Sequence, residues 1–346
     1  MLSPLLSHLL LPFIVAMFLS INMGGSGTGP SFSAAYGANI IRKSLIPGLF
    51  GIMVFLGAIL AGKSTATTIG KEILDPKLMS FTLVSIVLFS VSISLLIANL
   101  AGIPQSTSQS TVLAVVAPAL YYNSLNSEKL LFVVIPAWFI LPIISFIISF
   151  LLGRYFYKPM RRRGLMLSRA QNANLKPVWN GLILLMSLYV AFSIGSNNVA
   201  NASGPIATMT ANELNISSEK DFILILILST LLIAPNFGIG SSIFGNKILL
   251  NTGKEIILFG KFEAVIIAFV SGSLLLAASL SKGIPTSLVQ LNVAAILGIG
   301  VAKLGPKNIF KKTEVRKFFI MWLISPIIAF SLSIILIILA DKLGYL

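Results

Sequence analysis

The chain has 346 residues, 56% hydrophobic and only 10% charged, an apolar share above and a charged share below those of soluble domains. Long runs without Asp, Glu, Lys or Arg, among them 1–41, 78–127 and 177–212, leave no room for a sizeable soluble domain and predict an integral membrane protein. A formal charge of +15 would raise nucleic acid as a partner for a soluble protein, but here it sits in short loops between apolar runs, so the bilayer is the expected partner and nucleic acid is not.

In the first half the apolar runs predict spans at about 5–23, 45–62 and 78–98, a short one at 110–122, and one at 130–152. Leu130 to Leu152 is near-continuous Ile, Leu, Phe and Val, unlike the alternating ~10-residue segments of an outer-membrane barrel, so the fold class is all-α. The first run lacks a basic leader and an obvious cleavage site, so removal as a signal peptide is not expected. It ends in Gly24-Gly25-Ser26-Gly27-Thr28-Gly29-Pro30. With Gly costing about 1 and Pro about 3 kcal/mol relative to Ala in a helix, unwinding is predicted there. Close packing through small residues would also use these glycines, but leaves the proline unexplained.

After the third span comes Gly102-Ile103-Pro104-Gln105-Ser106-Thr107-Ser108-Gln109. Pro followed by hydroxyl residues reads as a helix N-terminus, where free N–H groups and the positive dipole end favour an anion, although plain N-capping accounts for one copy alone. A basic linker at 154–177 follows. The second half carries a matching interruption, Gly195-Ser196-Asn197-Asn198-Val199-Ala200-Asn201-Ala202-Ser203-Gly204-Pro205, also predicted to unwind, and a matching hairpin, Gly283-Ile284-Pro285-Thr286-Ser287-Leu288-Val289-Gln290.

These correspondences are ordered. Gly24 pairs with Gly195 at an offset of 171, Gly70-Lys71-Glu72-Ile73 with Gly253-Lys254-Glu255-Ile256 at 183, and Gly102-Ile103-Pro104 with Gly283-Ile284-Pro285 at 181. Trp138-x-x-x-Pro142-Ile143-Ile144-x-Phe146 matches Trp322-x-x-x-Pro326-Ile327-Ile328-x-Phe330 at 184. The chain therefore reads as a tandem duplication, 1–153 and 178–346. About five spans per copy, broken by interrupted helices and re-entrant hairpins, put the second copy in inverted topology, and such paired interruptions point to a substrate site near the midplane. Arg42 and Lys43, the Arg-rich linker, and Lys303 to Lys317 mark the cytoplasmic side, while Glu213, Glu219 and Asp221 mark the outside. Both termini then face outside, across a cytoplasmic membrane. Zero Cys and a lone His8 remove thiolate metal sites, disulfides and most nucleophile chemistry, so neither an enzyme nor a bound metal or cofactor is expected.

The interruption at 195–205 resembles the signature of the inorganic phosphate transporter family, G-A-N-D-V-A-N-A followed by G-P, and the run at 104–108 resembles that family's P-x-S-T-T hairpin tip. The resemblance covers essentially the whole chain and implies a secondary transporter of a tetrahedral oxyanion, built from inverted repeats and assembled as a homodimer. Two departures bear on substrate. Asn198 and Gly27 stand where the family has Asp, and Thr67 and Leu250 where it has Glu. Hard cations want charged oxygen ligands, so the family's sodium coupling is not expected. Sulfate offers only acceptors, whereas phosphate keeps a proton that a carboxylate would accept. The pattern is similar to the sulfate permease branch, and sulfate import is the expected activity, with phosphate, molybdate or thiosulfate on the same scaffold, or an anion channel, as rivals. The candidate ligands are Gly24, Gly25, Ser26, Ser106, Thr107, Ser108, Asn197, Asn198, Thr286 and Ser287, with Asn22, Gln109, Asn201 and Gln290 as secondary candidates. Glu72 and Glu255 are candidates for proton coupling, with surface ion pairing as the plainer reading.

Overall fold

The computed structural model describes residues 4–102, 105–157, 159, 176–254, 260–311 and 313–346. Among these the chain is helical, with a single isolated bridge between Leu74 and Leu125 and no strand. The longer helices are α1 (Pro4–Gly37), α2 (Ile46–Ala61), α3 (Phe81–Ala101), α4 (Thr107–Tyr121), α5 (Ile135–Leu152) and α6 (Lys176–Asn198). They continue with α7 (Ala200–Glu213), α8 (Glu219–Ile233), α9 (Asn236–Lys254), α10 (Lys261–Lys282), α11 (Leu288–Leu304) and α12 (Thr313–Lys342). A short helix, Lys63–Thr67, and a π-turn, Thr68–Glu72, prolong α2.

Among the described residues eight segments are long and apolar enough to cross a bilayer, α6 with α7 and α8 with α9 each forming one. At 15 and 17 residues, α4 and α11 reach only ~22–26 Å, short of a ~30 Å hydrocarbon core. They pair with α3 and α10 as hairpins. Gly102 (φ 72°) and Gly283 (φ 58°) turn the chain at the two tips, in the left-handed region that glycine adopts without strain. At the base of the second hairpin Glu263, 1% exposed, meets Lys303 at 2.6 Å and braces its two legs.

The polarity pattern is that of a membrane interior. Phe132, Leu60 and Leu323 project outward at 76%, 71% and 69% exposure. Hydroxyls such as Ser20, Ser90 and Ser92 turn inward and donate to carbonyls one helical turn earlier, which satisfies them without water.

Helix contacts cross between the two halves of the chain. The most extensive joins α1 to α9, where a Cβ on Gly24 would lie 2.2 Å from Phe237 O and one on Gly240 1.8 Å from Ile21 O. A second such contact joins α2 to α6, where a Cβ on Gly57 would lie 1.9 Å from Phe192 O and one on Gly195 2.0 Å from Val54 O. In the same way Ser145 of α5 donates to Leu291 O of α11, and Ser333 of α12 to Ala114 O of α4.

These contacts correct two expectations. The helix does not unwind at 24–30, because α1 runs through all four glycines and Pro30; the second interruption shrinks to one residue, Val199, between α6 and α7. Tertiary packing overrides propensity: the glycines let two backbones approach, as small residues do between membrane helices. Ser26, Thr28 and Ser31 add hydroxyl bonds to Met23 O, Gly24 O and Gly27 O across the weak stretch. Most of the basic linker, and Glu255, lie outside the described residues.

Candidate functional site

Two helix starts define the site. Ser106 caps α4 by accepting from Gln109 N at 3.3 Å, and Ser287 caps α11 by accepting from Gln290 N at 3.3 Å. Gln109 and Gln290 then bond each other twice, Nε2 of the first to Oε1 of the second at 3.0 Å and the reverse at 2.8 Å. This reciprocal bridge draws together two N-termini, each carrying roughly half a positive charge in its macrodipole.

Beside the bridge is a cleft lined by Ser26, Gly27 and Pro30 of α1, Gln105 and Thr107 of the first hairpin, Ile194 and Asn198 of α6, and Ser287, Leu288 and Val289 of the second hairpin. Among the described residues no lining side chain is charged. The volume open to the centre of a water molecule is about 10 Å³, room for one water, so a tetrahedral ion needs the lining to part. Asn198 Oδ1 and Thr286 Oγ1 are buried without a partner, on residues 5% and 1% exposed. Buried polar atoms are normally satisfied, and unpaired ones here mark groups left over by the fold.

The predicted ligands divide accordingly. Ser26, Thr107, Asn198 and Ser287 line the cleft. Gly24 and Gly25 do not, because Phe237 and Phe244 of α9 fill the space beside them. Asn197 is consumed by the protein. Its Nδ2 donates to Ser279 Oγ and Ile284 O, both at 2.9 Å, and its Oδ1 accepts from Thr286 N at 3.1 Å and Ser108 Oγ at 3.2 Å. It clamps the second hairpin rather than offering free donors. Ser108, which also accepts from Asn201 Nδ2, belongs to that clamp. Asn22 bonds Phe18 O and Asn99, and the two glutamines bond each other, so neither set presents free amides. Ser26 stands at the sequence offset of 171 from Asn197; it lines the cleft and donates its hydroxyl to Met23 O at 3.1 Å.

Sequence reasoning did not select Gln105, which lines the cleft and bonds Ser94 O and Ser325 Oγ. Its counterpart, at the hairpin offset of 181, is Thr286, and that offset was the available signal. Glu72 does not pair with its neighbour Lys71. It meets Lys129 at 2.6 Å and accepts from Thr68 Oγ1 at 2.8 Å, while Lys71 lies 3.2 Å from the centroid of the Phe222 ring. Burial lowers the Lys71 pKa below its ordinary value, opposed by nearby Glu219. No cluster of three or more His, Cys, Asp or Glu side chains suited to a metal occurs among the described residues.

Eight bilayer-length segments among the described residues, with a neutral cleft at paired helix N-termini, make the architecture that of a multi-pass membrane permease for an anion. The phosphate transporter family matches residues 23–333, and the chain belongs to that family, whose members are transporters rather than enzymes. It is 31% identical over 336 residues to the sulfate permease CysP of Bacillus subtilis, covering 96% of this chain and 88% of that one. A putative phosphate permease of Pyrococcus horikoshii is 26% identical over 393 residues, covering 93% of this chain and 95% of the relative. Among solved structures, a sodium-dependent phosphate transporter superposes with a TM-score of 0.84 at 20% identity, covering 97% of this chain and 99% of the other, and so has the same fold.

Proposed function

We propose that the chain imports inorganic sulfate across the cytoplasmic membrane as a proton-coupled secondary transporter working by alternating access. The carrying observation is a cleft whose described lining offers hydroxyl and amide groups but no carboxylate, and in which Asn198 and Gly27 stand at the acid positions of the resembled signature. A neutral lining backed by helix N-termini suits a fully deprotonated dianion. The similarity to CysP supports the same substrate, and the absence of acids at the signature positions favours protons over sodium as the coupling ion. We read 1–153 and 178–346 as inverted repeats of about five spans each, with the 154–177 linker inside, both termini outside and, by family resemblance, two copies per assembly. The Gln109–Gln290 bridge and the paired cross-half contacts support that symmetry.

Radiolabelled sulfate uptake into proteoliposomes, with proton and sodium gradients imposed separately, tests the reading. Proton-driven accumulation is expected. Equilibration without accumulation would make the protein a channel, and sodium-driven phosphate uptake without sulfate flux would overturn the substrate. Phosphate is the second reading, favoured by the phosphate transporter family itself and by the Pyrococcus relative; competition by phosphate, molybdate and thiosulfate separates the candidates.

A further inference from the structure

We infer that Lys129 is a positioning residue for transport: held by Glu72, it fastens the tip of the α10–α11 hairpin and keeps the outer approach to the cleft shut. The inference rests on the transport reading and the orientation proposed above. Lys129 Nζ lies 2.6 Å from Glu72 Oε2 and also donates, at 3.4 Å, to Lys282 O, the last residue of α10. The next residue, Gly283, is seated on the segment that carries Glu72. A Cβ there would lie 2.3 Å from Ser64 O and 2.9 Å from Thr68 Oγ1. Trp138 Nε1 then donates to Pro285 O at 2.9 Å, and Asn197 holds Ile284 O and Thr286 N.

The tip that ends in the cleft residue Ser287 is thus fastened at several successive positions. Among the fastenings formed by the described residues, the Lys129–Glu72 pair is the charged one, with side chains 21% and 38% exposed. A solitary surface pair contributes little, but this one ties the extension of α2 and the lead into α5 to the hairpin tip. The sequence also repeats both partners at one offset, Glu72 with Glu255 and Lys129 with Lys312, each 183 residues on. Admitting an ion from outside requires the tip to leave Ser64 and Thr68, and Lys129 to give up Lys282 O.

The Cys-free chain allows a direct test. Thr65→Cys places a reporter at a fully buried position next to Ser64, whose carbonyl the tip approaches; Ser149→Cys, equally buried in α5, is the control. Both are labelled with an impermeant maleimide from outside, in full-length protein. Lys129→Met and Glu72→Gln should each raise the labelling rate at Thr65→Cys about fivefold, the upper end for releasing an exposed ion pair, and leave Ser149→Cys unchanged. The charge swap, Glu72→Lys with Lys129→Glu, should restore slow labelling. Unchanged labelling in both single variants, or an equal rise at the control, overturns the proposal. Labelling needs no substrate, so a mistaken substrate assignment leaves this test standing.

Discussion

Replacing one member of the Gln109–Gln290 bridge should cost far more than replacing both. The two residues are 6% and 5% exposed and exchange two hydrogen bonds, at 3.0 and 2.8 Å. Met is close to Gln in length and lacks both donor and acceptor. Gln290→Met alone strands one buried donor and one buried acceptor on Gln109, about 1–3 kcal/mol each, or about 2–6 kcal/mol together. Gln109→Met strands the mirror-image pair. The double variant forfeits two bonds of about 1 kcal/mol net apiece but leaves nothing unpaired, so it should fall within about 2 kcal/mol of the parent. The cycle then closes with a coupling of at least about 2 kcal/mol, the two single costs exceeding the double. Equilibrium unfolding in detergent measures the stabilities, and equilibrium sulfate binding measures the site. If the glutamines only join the hairpins, the double variant keeps most of its sulfate affinity. Additive destabilisation, or a double variant that binds worst of all, would refute the assignment.

Asn198→Asp puts a unit charge in the cleft lining. At ~4 Å from an anion and an effective dielectric of 20 the repulsion is about 4 kcal/mol, so sulfate uptake at neutral pH should collapse; undiminished uptake would remove Asn198 from the site. Thr107→Val keeps the shape and removes a donor, and should weaken sulfate binding about tenfold, equivalent to about 1.4 kcal/mol within the usual range for a lost buried bond. Gly24→Ala has no room against Phe237 O and should abolish folded protein on size-exclusion chromatography, whereas Gly37→Ala, with no neighbour within 4 Å, should behave like the parent. Ser217→Cys, exposed after α7, should react with an impermeant maleimide outside cells, and Asn172→Cys in the basic linker should not; the reverse pattern overturns the orientation.

How much was legible depended on whether the deciding information was local. The hairpin starts were readable because Pro, Ser and Thr act within one turn of themselves, and both Ser106 and Ser287 are caps. The glycines at 24–27 were ambiguous because the same residues loosen a helix or let another approach it. What decides between these is Phe237 and Phe244, far along the chain. Asn197 and Asn198 are neighbours of one type, yet one is saturated by the hairpin and the other keeps an unpaired oxygen. No sequence pattern separates them. Glu263 reads as an ordinary first-turn acid of a helix, and only the approach of Lys303 reveals a buried pair.

The crossed packing of α1 on α9 and α2 on α6 has a consequence for synthesis. When α1 and α2 enter the membrane, the partners of Gly24 and Gly57 have not yet been translated. Their close-approach faces then meet only lipid, which cannot follow two backbones into van der Waals contact as a cognate helix does. Asn99 of α3 can already bond Asn22 of α1 at that stage, but the glycine faces of α2 and α1 gain their partners only as α6 and then α9 are made, so neither face is packed until the second half is under way.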